Sequence, residues 1–439
     1  MIVMKFGGTS LGDADRINSA TNIIKSKTDQ KPVVVVSAVA KITDLLIKLI
    51  NECAMGGGSN ILKGIQQRHL EILKQLNIDQ SLLDNDFEEL SKAARRVNNE
   101  SRINDKLLDY FQSFGERMSS KIVAALLNKK DINAQALNSY DIGFLTNSNF
   151  GEAEPLQSVY TNIKNNLKRT KVVPVITGFI GKTENGEITT LGRGGSDYTA
   201  AIIGASIDAD EIQIWTDVDG IKSSDPKIVK NARTLGKVSF AEASELAYFG
   251  AKVLHPKTIL PAMNKNIFVK VLNSFNPKNS GTTILKDSYR NKQVIKAIVC
   301  KKNITLINIE STRMLGTYGF LATIFDIFNK NGKSVDVVST SEVSVSLTID
   351  NDENIEDILS ELKEIANVQL LKNRAIVCVV GEGMKNTPGI ASRTFGSLAK
   401  GKINIEMISL GASKINITFI VDGKEVEKAV NILHDEFYG

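Results

Sequence analysis

Ile2-Val3-Met4-Lys5-Phe6-Gly7-Gly8-Thr9-Ser10 opens the chain with a strand-length apolar run, a lysine near its end, then two glycines and two hydroxyls. A helical stretch starts just beyond, near Asp13. The order strand, glycine turn, helix leaves backbone N–H groups where no side chain blocks an approaching phosphate, at the positive end of a helix dipole. Read alone, the same residues also fit an ordinary turn. A second turn of the same design weighs against that reading. Thr189-Thr190-Leu191-Gly192-Arg193-Gly194-Gly195-Ser196-Asp197 joins a short strand to a helix over 198–203 and sets an arginine between glycines. A third, Trp215-Thr216-Asp217-Val218-Asp219-Gly220, ends an apolar strand in carboxylates, at the end of a parallel strand where α/β proteins place ligands.

Outward from these turns, residues 1–290 alternate short β-branched runs with helical periodicity, the pattern of an α/β sandwich with a mainly parallel sheet. Strands are predicted at 2–6, 32–37, 172–177 and 211–216, and a helical block at 45–53, 61–76, 87–97 and 117–127. Turn formers crowd 276–281 and 287–292, so a boundary is placed there and a second region begins at 294. This region repeats itself. Gly319-Phe320-Leu321-Ala322 opens a helix followed by strands at 335–339 and 343–349. About seventy residues on, Gly389-Ile390-Ala391-Ser392 opens another, followed by strands at 403–408 and 415–421. Each copy adds a helix, 355–365 and 426–437, which makes two βαββαβ-like units at about 304–372 and 374–439, with exchange of strands between them left open.

A net charge of +5 with both signs interleaved marks no nucleic-acid surface and suits small anionic ligands. No apolar run reaches the roughly 20 residues that cross a bilayer, and the first residues lack the features of a secretory signal. Cys53, Cys300 and Cys378 lie far apart without metal-ligand spacing, which fits a reducing cytoplasm, and no protein metal site is expected.

There is no G-x-x-x-x-G-K-[ST], no G-x-G-x-x-G after a strand, and no H-R-D with D-F-G, which removes P-loop enzymes, Rossmann dehydrogenases and protein kinases. His69, His255 and His434 are poor general-base candidates, His255 being fixed before Pro256. A carboxylate acceptor needs none. It is already ionised at neutral pH, so phosphorylating it calls for alignment and charge cancellation, which Lys5 and Arg193 at glycine turns supply.

At this point the residues resemble the aspartokinases. Lys5-Phe6-Gly7-Gly8-Thr9-Ser10 is similar to the family's opening motif, Thr190-Leu191-Gly192-Arg193-Gly194-Gly195-Ser196-Asp197 to its aspartate-site motif, and Phe249-Gly250-Ala251-Lys252-Val253-Leu254-His255-Pro256 to its third block. Phe114-Gly115-Glu116-Arg117-Met118-Ser119, Ser37-Ala38-Val39-Ala40-Lys41-Ile42-Thr43-Asp44 and Gly178-Phe179-Ile180-Gly181 follow the family in the same order, so the resemblance covers essentially the whole chain. It implies an amino-acid kinase α/β/α sandwich followed by two ACT units in a monofunctional enzyme, with no room for a fused homoserine dehydrogenase. The implied reaction is phosphorylation of L-aspartate by ATP, with Mg2+ held mainly through the ATP phosphates.

The resemblance also implies roles. Lys5 meets the transferring phosphoryl group and Asp197 holds Lys5; Arg193 grips the substrate α-carboxylate, and Glu116 answers its ammonium. Thr43, Phe179, Gly194 and Ser196 complete the amino-acid site, beside Gly195 in the reaction channel. Gly7, Gly8, Thr9, Ser10, Thr216, Asp217, Lys222, Lys227 and Lys252 belong to ATP, although Lys222 and Lys227 stand where the family has an aromatic residue and an arginine.

Met314, Gly319, Phe320, Leu321, Val335, Asp336, Ser341, Glu342 and Val343 resemble the effector pattern of lysine-sensitive members, which implies feedback inhibition by L-lysine at an interface of a homodimer or a dimer of dimers. Asp336, between Val335 and Val337 on a predicted apolar strand, is expected to need a partner that a ligand ammonium would supply. Other readings are a kinase for another acid, such as glutamate, N-acetylglutamate or carbamate, and a non-catalytic ACT amino-acid sensor; threonine is the alternative effector.

Overall fold

The computed structural model describes residues 1–168, 170–250, 256–286, 294–314, 318–350, 355–411 and 415–439. By its internal contacts the chain divides into a first unit, Met1–Ile221 with Gly236–Phe240 and Val253–Asp287, and a second, Lys222–Leu235 with Ala241–Lys252 and Ser288–Gly439. The boundary expected near residue 290 is thus only part of the division. Two stretches before it pack with the C-terminal region, a long-range choice that local composition does not reveal.

In the first unit the strands are β1 (Ile2–Phe6), β2 (Pro32–Val36), β3 (Ala134–Leu137), β4 (Val173–Thr177), β5 (Ile180–Lys182), β6 (Ile188–Thr190), β7 (Glu211–Thr216), β8 (Lys237–Ser239), β9 (Phe268–Asn273) and β10 (Thr282–Leu285). Eight of them form one sheet in the order β3-β4-β2-β1-β7-β9-β10-β8, while β5 and β6 make a separate hairpin. From β3 to β9 every pairing is parallel; β10 runs antiparallel to β9, and β8 parallel to β10. Every residue of β1 and β2 is buried, which is why these strands read as unbroken apolar runs rather than alternating ones.

The helices are α1 (Ala14–Lys25), α2 (Ile42–Ala54), α3 (Ser59–Gln75), α4 (Asp84–Glu100), α5 (Asp105–Lys129), α6 (Ser158–Leu167), α7 (Gly195–Ser206), α8 (Phe240–Phe249), which belongs mostly to the second unit, and α9 (Pro256–Asn264). Helix α1 starts where Asp13 accepts the Arg16 N–H, and α5 where Asn104 accepts that of Leu107. Helix α5 packs against β3, β4, α2 and α4. It begins twelve residues before the predicted 117–127, because polar Asp109, Gln112, Ser113 and Glu116 interrupt its apolar periodicity although all four are buried. Fully buried Asp86 on α4 pairs with Lys121 of α5 at 2.5 Å and Glu89 with Arg117, which fixes the two helices together.

The second unit holds β11 (Ala297–Glu310), α10 (Phe320–Lys330), β12 (Val338–Thr340), β13 (Ser344–Ile349), α11 (Ile355–Ile365), β14 (Asn367–Val380), α12 (Ile390–Lys400), β15 (Met407–Ser409), β16 (Asn416–Asp422) and α13 (Val426–Tyr438). One six-stranded sheet runs β12-β13-β11-β14-β16-β15. Strands β11 and β14 pair antiparallel from Ala297↔Val380 to Glu310↔Asn367, with irregular register between Lys301 and Leu306. Two cores result: Ile307 and Ile309 of β11 pack with α10 and α11, whereas Ile298 of the same strand packs with α12 and α13. The repeats therefore do share strands, and the expected break at 372–374 falls inside β14. The strand predicted at 335–339 is shorter; residues ahead of β12 still bond to β13, Asp336 N–H donating to Thr348 O at 2.9 Å. Among the described residues no helix is long and apolar enough to cross a membrane.

Candidate active site

The ends of β1, β2 and β4 and the start of α7 surround a cleft of about 520 Å³, at the carboxyl edge of the parallel strands where such sheets take ligands. Lys5, one residue from the end of β1, reaches into it and lies 2.6 Å from Asp197 Oδ1, both side chains being nearly buried. Asp197 sits in the first turn of α7. Its helix is entered through Gly192 (φ +70°) and Gly194 (φ +74°), left-handed conformations that glycine adopts without strain. Arg193 is carried between them, exposed in the cleft, with no hydrogen bond or ion pair among the described residues. Gly8 lines the same wall; a Cβ there would stand 2.9 Å from the Ala38 carbonyl oxygen, too close to fit.

Opposite, α5 contributes Glu116. Its Oε1 accepts the Ala38 N–H at 3.0 Å, while its buried Oε2 has no hydrogen-bond partner among the described residues. Burial pushes its pKa up to about 8, only partly opposed by the Ala38 N–H and the charge of Lys5. A lone carboxylate oxygen of this kind is costly unless a ligand donor meets it. Thr43, in the first turn of α2, Phe179 and Ser196 complete the lining. Phe179 holds φ +66°, and its N–H donates to Thr199 Oγ1.

The structure thus brings Lys5, Gly8, Thr43, Glu116, Phe179, Arg193, Gly194, Ser196 and Asp197 around one cleft. Gly7, Thr9, Ser10, Thr216 and Asp217 do not border it; Thr216 ends β7, the strand next to β1, and Asp217 follows it. Ser10 is buried. Its hydroxyl is 2.7 Å from Ser274 Oγ and donates to Trp215 O, which ties the turn after β1 to the loop after β9. Lys222 and Lys227 fall in the second unit, where Lys222 Nζ donates to Thr234 Oγ1, and Lys252 lies outside the described residues with 251–255 of the third motif. Sequence reasoning missed Gln112, which lines the cleft, and Asp109 behind it. The signal was a carboxylate and an amide on the buried face of a helix.

The histidines among the described residues are structural. Buried His69 bonds Ile65 O and is pushed down to about 4 by desolvation; His434 lies 3.0 Å from Ser223 Oγ.

Of the expected effector residues, Met314, Phe320 and Val335 pack half-buried on the core under α10, Gly319 caps that helix, Leu321 is exposed, and Ser341, Glu342 and Val343 form the exposed β12–β13 turn. The premise for Asp336 is overturned. It already has partners, Lys301 at 2.9 Å and the Tyr248 hydroxyl at 2.6 Å, so it needs no ligand to be satisfied.

Residues 1–273 match the amino acid kinase family model, and 377–437 match an ACT domain model. The chain is 41% identical to aspartokinase 1, chloroplastic, of Arabidopsis thaliana, over 99% of this chain and 80% of that protein. It is 36% identical to lysine-sensitive aspartokinase 3 of Escherichia coli, over 100% and 99%. Crystal structures of E. coli aspartokinase III superpose over the full length of both chains at 34% identity. The TM-score is 0.84 for the complex with aspartate and ADP (R-state) and 0.83 for that with lysine and aspartate (T-state).

Proposed function

The chain belongs to the aspartokinases of the amino acid kinase family, and from that membership we infer the chemistry of its cleft: ATP and L-aspartate give ADP and 4-phospho-L-aspartate. One observation carries the assignment of groups. A buried carboxylate with a free oxygen, Glu116, and an unpaired guanidinium, Arg193, face the same small cleft as Lys5. They complement an ammonium and a carboxylate, the pair that an α-amino acid carries on one carbon.

The acceptor is the substrate's side-chain carboxylate, already ionised, so no residue has to remove a proton. Lys5, held by Asp197, neutralises charge on the phosphoryl group as its bond to the ADP oxygen breaks and the bond to the carboxylate oxygen forms. The N-terminus of α7 adds its dipole on the same side. Gly7, Thr9, Thr216 and Asp217, at or just beyond the ends of β1 and β7, are the residues proposed to hold the nucleotide. Mg2+ bound to the nucleotide phosphates would supply further charge cancellation; Asp217, exposed at the end of β7, has the chemistry to assist it.

L-lysine is the proposed inhibitor, acting through the first repeat, since a relative that matches over its whole length is lysine-sensitive by name. Exposed Leu321, Phe325 and Val343 in that repeat fit burial against a second copy. Three free cysteines fit a reducing compartment such as the cytoplasm. The test is ADP release with aspartate, glutamate and N-acetylglutamate, repeated with lysine, threonine or methionine. Turnover with glutamate equal to that with aspartate would refute the substrate assignment.

A further inference from the structure

Helix α5 carries a second carboxylate that the reaction itself does not use. Asp109 lies two helical turns before Glu116, on the same face, and is fully buried without bordering the cleft. Its two oxygens accept the Thr190 N–H at 2.8 Å, the Thr190 hydroxyl at 2.7 Å and the Gly151 N–H at 2.9 Å. Thr190 and Gly151 both line the cleft. Thr190 ends β6, just before the loop that carries Arg193, and the two clamped segments also hold each other, because the Ala153 N–H donates to Thr190 O at 2.8 Å. Gly192 is pressed so near that segment that a Cβ would stand 3.2 Å from Gly151 O.

One rigid helix therefore bears Glu116 directly and grips, through Asp109, the root of the loop that bears Arg193. We propose that Asp109 is a positioning residue that fixes the two groups anchoring the substrate's α-ammonium and α-carboxylate, and with them the reach of its side-chain carboxylate toward Lys5, and so selects aspartate over its one-carbon-longer homologue. The proposal rests on the aspartate reading above. Three donors converging on a buried carboxylate form a stiff joint, and a neutral amide in its place sets an NH2 group, which cannot accept a hydrogen bond, against at least one of them. Burial raises the pKa of Asp109 overall, the three donors opposing it only in part, and all three are accepted by its two carboxyl oxygens.

The test compares wild type, Asp109→Asn and Thr190→Val in initial-rate kinetics with aspartate and with glutamate, each protein's thermal melting being recorded. In Asp109→Asn the KM for aspartate rises about tenfold or more, the KM for ATP stays within about twofold, and the aspartate-to-glutamate ratio of kcat/KM falls by a similar factor. Thr190→Val, which loses one of the three bonds, shifts the same quantities in the same direction by less. A merely structural Asp109 would lower melting and scale all rates together, leaving the ratio unchanged; that result, or an aspartate KM within about twofold of wild type in both variants, overturns the inference. If Asp109→Asn does not fold, Thr190→Val decides. Wild type that fails to phosphorylate aspartate overturns the substrate reading, and this inference with it.

Discussion

The Nζ of Lys301 lies 2.9 Å from Asp336 Oδ2, so an ammonium of the protein's own already occupies the carboxylate that the effector pattern assigns to a ligand ammonium. Lys301 also pairs with Asp350, and its ammonium stands 5.2 Å from the centre of the Tyr248 ring.

An entering lysine must compete with that internal cation. Lys301→Met is accordingly expected to tighten L-lysine binding several-fold, whereas Asp336→Ala weakens it by about tenfold or more, both read by calorimetric titration beside the kinase assay. Aspartate or ATP should weaken lysine binding reciprocally. If wild type neither binds nor responds to millimolar lysine, the effector assignment fails and threonine becomes the candidate to test.

Lys5→Ala should lower turnover by about a hundredfold or more while the chain stays folded, because it removes the cation that Asp197 holds in the cleft. Asp197→Asn should lower kcat by less, since Lys5 keeps its charge but loses its tether. Near-native ADP release by purified Lys5→Ala would show that the opening motif is not the phosphoryl site.

Arg193 is free of protein partners among the described residues, so its substitution reports on ligand alone. Arg193→Lys should raise the KM for aspartate much more than that for ATP, because one ammonium cannot make two parallel bonds to a carboxylate. Equal changes for both substrates would move Arg193 to the nucleotide.

Glu116 gives the protein a pH signature. Its folded-state pKa, near 8, stands above the ordinary 4.5, so between those values the folded protein keeps a proton that the unfolded chain has released. The stability this group contributes is present below the lower value and is lost as pH rises through the upper one. Wild type should therefore melt less readily at about pH 6 than at about pH 9, with the difference reduced in Glu116→Gln. Aspartate's ammonium needs the ionised form, so KM for aspartate should fall as pH rises toward 8 in wild type and stay flat in the variant. A pH-independent KM in wild type would remove Glu116 from the amino-acid site.

Much of this arrangement could be read from residue order. Strands β1 and β7 and helix α11 occupy their predicted spans because fully buried strands and strongly amphipathic helices leave unambiguous periods. The chemical groups at the cleft were legible as a family resemblance, but their packing was not. The start of α5 was hidden by the very polar residues that serve the site. The need of Asp336 for an outside partner was misjudged because Lys301, which pairs with it, lies 35 positions away, beyond any local pattern. The start expected for the first repeat, at about 304, falls inside the long β11, next to Lys301-Lys302-Asn303 where the register slips.

That shared strand has a consequence for how the regulatory half comes apart. A cut near Asn373, between the repeats, would sever β14 in mid-ladder rather than a linker, and each fragment would expose edges that its other half had covered. The two repeats are then one cooperative unit of unfolding: neither should survive limited proteolysis as a separate folded piece, and loosening either one must be felt in the other.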